Sequence, residues 1–132
     1  MVFNKKNRLP YIRYYPISKV TNGLIYEYNG IEFLVNKGVG YRFDSHRARE
    51  SWGMPTYSLN PREDSLPVKI VGALGFRDGT LIQNAKDGKI YLISSATRRL
   101  LTSPLDDYGF DNSQVVEVSD AEIQFHIEGE EI

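Results

Sequence analysis

Gly23-Leu24-Ile25-Tyr26-Glu27-Tyr28-Asn29-Gly30-Ile31-Glu32-Phe33-Leu34-Val35 decides the reading of this chain. Two apolar runs flank Asn29-Gly30, a pair in which both residues tolerate positive φ, so the stretch spells a β-hairpin with a tight turn. On the second run Ile31, Phe33 and Val35 share one face. Gly38 and Gly40 mark a second turn, and Tyr41-Arg42-Phe43 adds a third strand to make a meander. Asp44 or Ser45 then caps a short helix running through Ser51. Trp52 and Met54 fold back onto the sheet, Pro55 stops the helix, and Tyr57-Ser58-Leu59 and Val68-Lys69-Ile70-Val71 read as further strands.

The same grammar returns downstream. Residues 22–72 can be laid over residues 78–129, with Gly23-Leu24-Ile25 on Gly79-Thr80-Leu81-Ile82 and Phe33-Leu34-Val35 on Tyr91-Leu92-Ile93. Arg42 meets Arg98 or Arg99, Ser45 meets Ser103, Trp52-Gly53-Met54 meets Tyr108-Gly109-Phe110, and Asp64 meets Asp120. Thr80 to Gln83, Lys89 to Ile93, Arg98 to Leu101 and Val115 to Val118 are the expected strands of the second unit. Thr102 or Ser103 caps its short helix, with Pro104 at the first position, and Ser119-Asp120-Ala121-Glu122 is a turn opening one helical turn. The expected fold is a β-rich α+β one: two tandem units of short antiparallel strands with short helices, packed as one pseudo-symmetric domain. The divisions are an extended N-terminal arm (1–19), a first repeat unit (22–72) and a second (78–129), with Ala73 to Arg77 as the joint.

Composition narrows the function classes. A chain of 132 residues with 41% hydrophobic and 25% charged residues is of ordinary globular make-up. No apolar run approaches the roughly 18 residues of a membrane span, so no membrane is expected as a partner. Met1 to Lys6 is polar and basic with no signal-type apolar segment after it, which points to synthesis in the cytoplasm, a mature fragment, or release by lysis. The absence of cysteine excludes disulfides, thiolate zinc sites and a cysteine nucleophile. The net charge of −1 hides a polarity. Residues 1–20 hold Lys5, Lys6, Arg8, Arg13 and Lys19 without an acid, and residues 106–132 hold nine acids without Lys or Arg. Such asymmetry steers one end of a molecule toward the other end of its neighbour.

Catalytic constellations are missing from the pattern. His46 and His126 fall at different places in the two units and read as surface or capping residues, and Ser45-His46 is adjacent in sequence, which is not how a nucleophile meets its base. Asp106-Asp107 and Glu130-Glu131 match no cation-loop spacing, and Gly38-Val39-Gly40 lacks the lysine and later glycine of a phosphate loop. No enzyme, metal or cofactor is expected. Arg47/Arg49 and Arg98/Arg99 are too small a positive excess for a nucleic-acid protein. Tyr14, Tyr15, Tyr26, Tyr28 and Tyr57 are the tyrosines free to face outward toward a glycan, while Trp52 reads as a core anchor.

The run Arg77-Asp78-Gly79-Thr80-Leu81-Ile82, then Lys89-Ile90-Tyr91-Leu92-Ile93, Arg98-Arg99, Ser103, Tyr108-Gly109-Phe110-Asp111, Val115 to Ser119 and Asp120-Ala121-Glu122-Ile123 resembles a known repeat of about 50 residues. That repeat is found in minor structural and tail proteins of bacteriophages and in secreted or envelope proteins of bacteria. The second unit fits it over nearly its whole length. The first has Tyr41-Arg42 in place of the basic pair and lacks the Asp-Ala-Glu turn. The resemblance implies a setting, virion or cell surface, more than a chemistry. It leads to the expectation of a non-enzymatic structural component of a bacteriophage virion, in the tail, baseplate or head–tail region. Made in the host cytoplasm, it would sit in a multi-copy assembly with other virion proteins. The expected partner-binding residues are Lys5, Lys6, Arg8, Tyr11, Arg13, Tyr14 and Tyr15, where tyrosines anchor and cations steer. The alternatives are a host-envelope or glycan-binding attachment module and a capsid cement (decoration) protein.

Overall fold

The computed structural model describes residues 20–60 and 66–132. The chain is β-rich with short helices. In order come β1 (Ile25–Tyr28), β2 (Ile31–Asn36), β3 (Val39–Phe43), α1 (His46–Glu50), β4 (Thr56–Ser58), β5 (Ile70–Leu74), β6 (Leu81–Asn84), β7 (Ile90–Ser94) and β8 (Thr97–Leu100). Two 3-10 turns (Leu105–Tyr108 and Asn112–Gln114), β9 (Val115–Val118) and α2 (Asp120–Ile123) follow. The strands form a five-stranded sheet of order β4-β1-β2-β3-β5 and a four-stranded sheet of order β8-β7-β6-β9.

The turns explain why these strands form. Asn29 (φ 52) and Gly30 (φ 87) are both left-handed, and the Glu27 carboxylate accepts the Gly30 N–H at 2.6 Å. Lys37-Gly38 (φ 52 and 79) and Ser95-Ala96 (φ 50 and 62) close the next hairpins in the same way. Gly40 is not a turn residue, against expectation. It lies within β3, where a Cβ would come 2.7 Å from Ile70 Cδ1 and 2.9 Å from Val68 Cγ2. Its role is close approach, not backbone freedom.

Some strand pairings recur between the two sheets. β1 pairs antiparallel with β2 and parallel with β4; β6 pairs antiparallel with β7 and parallel with β9. Individual hydrogen bonds recur as well. Gly23 N–H donates to Val35 O (2.6 Å) as Gly79 does to Ile93 O (2.7 Å). Asn22 Oδ1 accepts from Gly38 N–H (3.0 Å) as Asp78 Oδ1 accepts from Ala96 N–H (2.9 Å). Gly40 N–H donates to Lys69 O (2.8 Å) as Arg98 does to Ile127 O (2.9 Å), and Asp44 N–H to Leu74 O (3.0 Å) as Thr102 does to Ile132 O (3.2 Å). The register places Leu100, not an arginine, where Arg42 stands, since Phe33 faces Arg42 and Tyr91 faces Leu100.

By their contacts the residues fall into two units. Described residues up to Arg42 with Met54–Gly72 form the first; Phe43–Gly53 with Ala73–Ile132 form the second. Phe43–Gly53, which lies inside the 22–72 sequence unit, thus has its contacts in the second compact unit. The first core is Tyr26, Phe33, Val35 and Leu59; the second is Ala48, Phe76, Ile82, Tyr91, Ile93, Val118 and Ile123. The acidic C-terminal stretch does not hang free. Gly129 N–H donates to Arg98 O (2.8 Å) and Ile132 N–H to Leu100 O (3.0 Å), so it runs along the outer edge of β8.

Candidate functional site

The chemistry-bearing side chains of the described residues gather in the second unit. α1 begins at Ser45, whose Oγ accepts the Ala48 N–H (3.1 Å) as an N-cap and donates to Glu122 Oε2 (2.8 Å). Arg47 Nε donates to both oxygens of the same carboxylate (3.1 and 3.3 Å). Glu122 also closes a capping box with Ser119, accepting the Ser119 N–H at 3.0 Å while its own N–H donates to Ser119 Oγ at 3.2 Å. The residue is 6% exposed. Burial alone would raise its pKa, but the Ser119 N–H, the Ser45 and Ser119 hydroxyls and the Arg47 charge outweigh that, and the carboxyl sits below its ordinary value.

His126 is the second buried polar group and corrects the expectation of a surface histidine. Nε2 accepts the Phe76 N–H (2.9 Å) and Nδ1 lies 2.7 Å from Ala96 O. An acceptor Nε2 leaves the proton on Nδ1, so the tautomer is set by two backbone groups. Gly75 passes so close that a Cβ there would stand 2.4 Å from Nε2. The neighbouring backbone is tied by Trp52 Nε1 donating to Gly75 O (3.0 Å) and Arg77 N–H donating to Ser51 Oγ (3.0 Å). Arg98 closes the far side, with Nη1 donating to Ile123 O (3.3 Å) and His126 O, and its guanidinium 5.7 Å above the Tyr91 ring.

Between these ties lies a cleft of about 490 Å³, within the usual size range of ligand sites. Trp52 and Phe125 supply aromatic surface, Asp44 and Asp78 are its exposed acids, and the buried Phe76 and His126 lie beneath. Phe76 and Phe125 stack at 6.3 Å and 24°. Trp52 is half-buried, edge-on to Phe43 at 6.0 Å. Arg77, also on the lining, turns Nη1 toward the Trp52 carbonyl at 3.5 Å. His126 has both ring nitrogens engaged, so the cleft offers apolar faces and carboxylate oxygens rather than a ready base.

The sequence-predicted partner residues Lys5, Lys6, Arg8, Tyr11, Arg13, Tyr14 and Tyr15 lie outside the described residues. Of the tyrosines expected to face out, Tyr26 is fully buried, its hydroxyl accepting the Thr21 N–H at 2.8 Å, and Tyr28 and Tyr57 are half-buried against the first core. β1 is buried on both faces, so Ile25 and Tyr26 are both enclosed and the alternation rule fails there. His46 is exposed, 3.8 Å from Glu50. No group of three or more metal-ligating side chains occurs among the described residues, and no helix among them is long and apolar enough to cross a membrane. The chain matches no protein-family model, no curated protein and no solved structure in these comparisons. The Ser45–Glu122 tie escaped the sequence reading: both caps are legible alone, but nothing in a single sequence joins positions 77 residues apart.

Proposed function

We propose that the protein is a non-enzymatic structural component of a bacteriophage virion, in the tail, baseplate or head–tail region, that docks to neighbouring subunits. It is built from two copies of one strand-rich unit of about 50 residues. The observation that carries the duplication is the recurrence of the same hydrogen bonds at matched positions, Gly40 to Lys69 and Arg98 to Ile127, Asp44 to Leu74 and Thr102 to Ile132. A doubled unit whose buried Glu122 and His126 are spent on tying segments together supports a scaffold more readily than a catalyst. The resemblance of the second unit to phage tail repeats supports the setting. Docking falls to the arm, with Tyr11, Tyr14 and Tyr15 as anchors and Lys5, Lys6, Arg8 and Arg13 as steering charges.

The test is deletion of residues 1–19. Incorporation into particles is expected to be lost while the far-UV circular dichroism and the thermal transition stay as they were. A truncated protein that assembles normally overturns the proposal. The aromatic and carboxylate lining of the cleft favours one second reading, a glycan-binding attachment module. It predicts binding to wall polysaccharide that is lost in Trp52→Ala.

A further inference from the structure

We propose that the cleft of the second unit receives the N-terminal arm of a neighbouring copy, which makes this chain self-associating in a head-to-tail sense. The inference rests on the arm-docking reading above and names its receptor.

Three observations point there. The cleft combines the half-buried rings of Trp52 and Phe125 with the exposed acids Asp44 and Asp78. Aromatic faces bordered by carboxylates suit a segment that alternates rings and cations, because a guanidinium stacks on the ring while its N–H groups reach the acid. The chain carries one segment of that composition, Arg8 to Tyr15, with Tyr11, Arg13, Tyr14 and Tyr15 and no acidic residue. The chemistry is therefore complementary within a single sequence, and identical copies suffice to supply both partners.

Geometry allows it. Nineteen residues span at most about 60 Å when extended, several times the radius of a domain of this size. The cleft accommodates a few side chains, not the whole arm, so one or two rings and one cation would be the seated group. Arg77 is the cation on the lining, and its turn toward the Trp52 carbonyl directs its charge at a backbone oxygen. Reciprocal exchange of arms gives a closed dimer, and one-way seating from copy to copy gives a ring where the rotation closes and a filament where it does not.

The test places a photo-crosslinking benzoylphenylalanine at Tyr14 in the full chain and mixes isotopically labelled with unlabelled copies. Crosslinks between copies to Trp52 or Phe125 are expected. Their yield should fall about tenfold in the double variant Asp44→Asn, Asp78→Asn and on raising the salt to 1 M. Asp78→Asn retains an acceptor for the Ala96 N–H, so that single variant should keep its thermal midpoint, and it reports the loss of charge alone should the double variant melt lower. Crosslinks only within one copy, or unaffected by the double variant, overturn the proposal. Crosslinks to a different virion protein overturn it while leaving arm docking intact. Binding of a wall polysaccharide in the cleft that leaves the inter-copy crosslinks unchanged also overturns it.

Discussion

The first unit fills its core with rings, whereas the second fills it largely with branched aliphatics and adds buried polar ties. Tyr26 sits 6.1 Å from both Phe33 and Tyr57 in the first. At matched places the second has Ile82, Tyr91, Ile93 and Val118, and it holds Asn84, Glu122 and His126, the three buried polar residues among those described. Two chemistries therefore support two small sheets with like strand pairings. Ring packing is indifferent to charge and tolerant of small shifts, because a tilted pair loses little on sliding. Buried hydrogen bonds demand their partners, since an orphaned group costs its full desolvation. The second unit should thus be the more sensitive to single-atom changes and to pH.

Two glycines offer the sharpest contrast. A Cβ on Gly75 meets His126 Nε2 at 2.4 Å, while the ring is itself pinned by Phe76 and Ala96. Gly75→Ala should cost about 2–4 kcal/mol, combining overpacking with loss of a buried hydrogen bond. A Cβ on Gly40 meets Ile70 Cδ1, the end of a flexible side chain, with the stiffer Val68 Cγ2 and the Phe33 ring (3.3 Å) behind it, so part of the clash is relieved by a change of the Ile70 rotamer. Gly40→Ala should cost about 1–2 kcal/mol. Urea unfolding of the two variants measures the difference. Equal costs, or the reverse order, would sink the claim that buried polar ties make the second unit the more sensitive to single-atom changes.

Glu122 gives the next largest effect. Glu122→Gln keeps one acceptor but removes the charge that Arg47, Ser45 and Ser119 face, so it should cost about 1–3 kcal/mol. Arg47 is more than half exposed, and most of that loss comes from the hydrogen bonds rather than the ion pair. The pH dependence follows from the lowered folded pKa. The unfolded carboxyl titrates near its ordinary value of 4.5 and the folded one below it. The stabilisation is therefore complete above the unfolded value and is lost as pH falls through the folded one. Wild type should lose stability in that acid range more steeply than Glu122→Gln. Parallel curves of thermal midpoint against pH would remove Glu122 from the account.

Legibility in the sequence followed the range of the interaction. The first hairpin was readable because Asn29-Gly30 encodes its own turn, and α2 because Ser119 and Glu122 cap it within four residues. The stretch 127–132 is not legible as strand, since Glu128, Glu130 and Glu131 carry no strand signal. It lies along an edge because β8 has backbone groups to satisfy there, a tertiary demand that local propensity does not record. The cleft was invisible for the same reason, as Trp52, Asp78 and His126 come together only once three distant stretches have packed.

The smallest expected effect tests that edge. The Tyr108 hydroxyl donates to Ile132 O (2.6 Å) and accepts from the N–H groups of Thr102 (3.2 Å) and Ser103 (3.1 Å), joining the 3-10 turn to the end of the strand-like stretch. These groups are exposed, so water replaces much of what is lost when the hydroxyl is removed. Tyr108→Phe should cost about 0.5–1 kcal/mol and keep the ring stacked on Phe110 at 6.2 Å. The cost should be local, since the first stretch to open in a sheet is its least buried edge. Amide exchange at Ile132 should quicken severalfold while Ile93 and Ile82, in the core, exchange as before. Faster exchange throughout the second unit would mean that the C-terminal stretch is part of its cooperative core, and that the two units differ less in how they are closed than their side chains suggest.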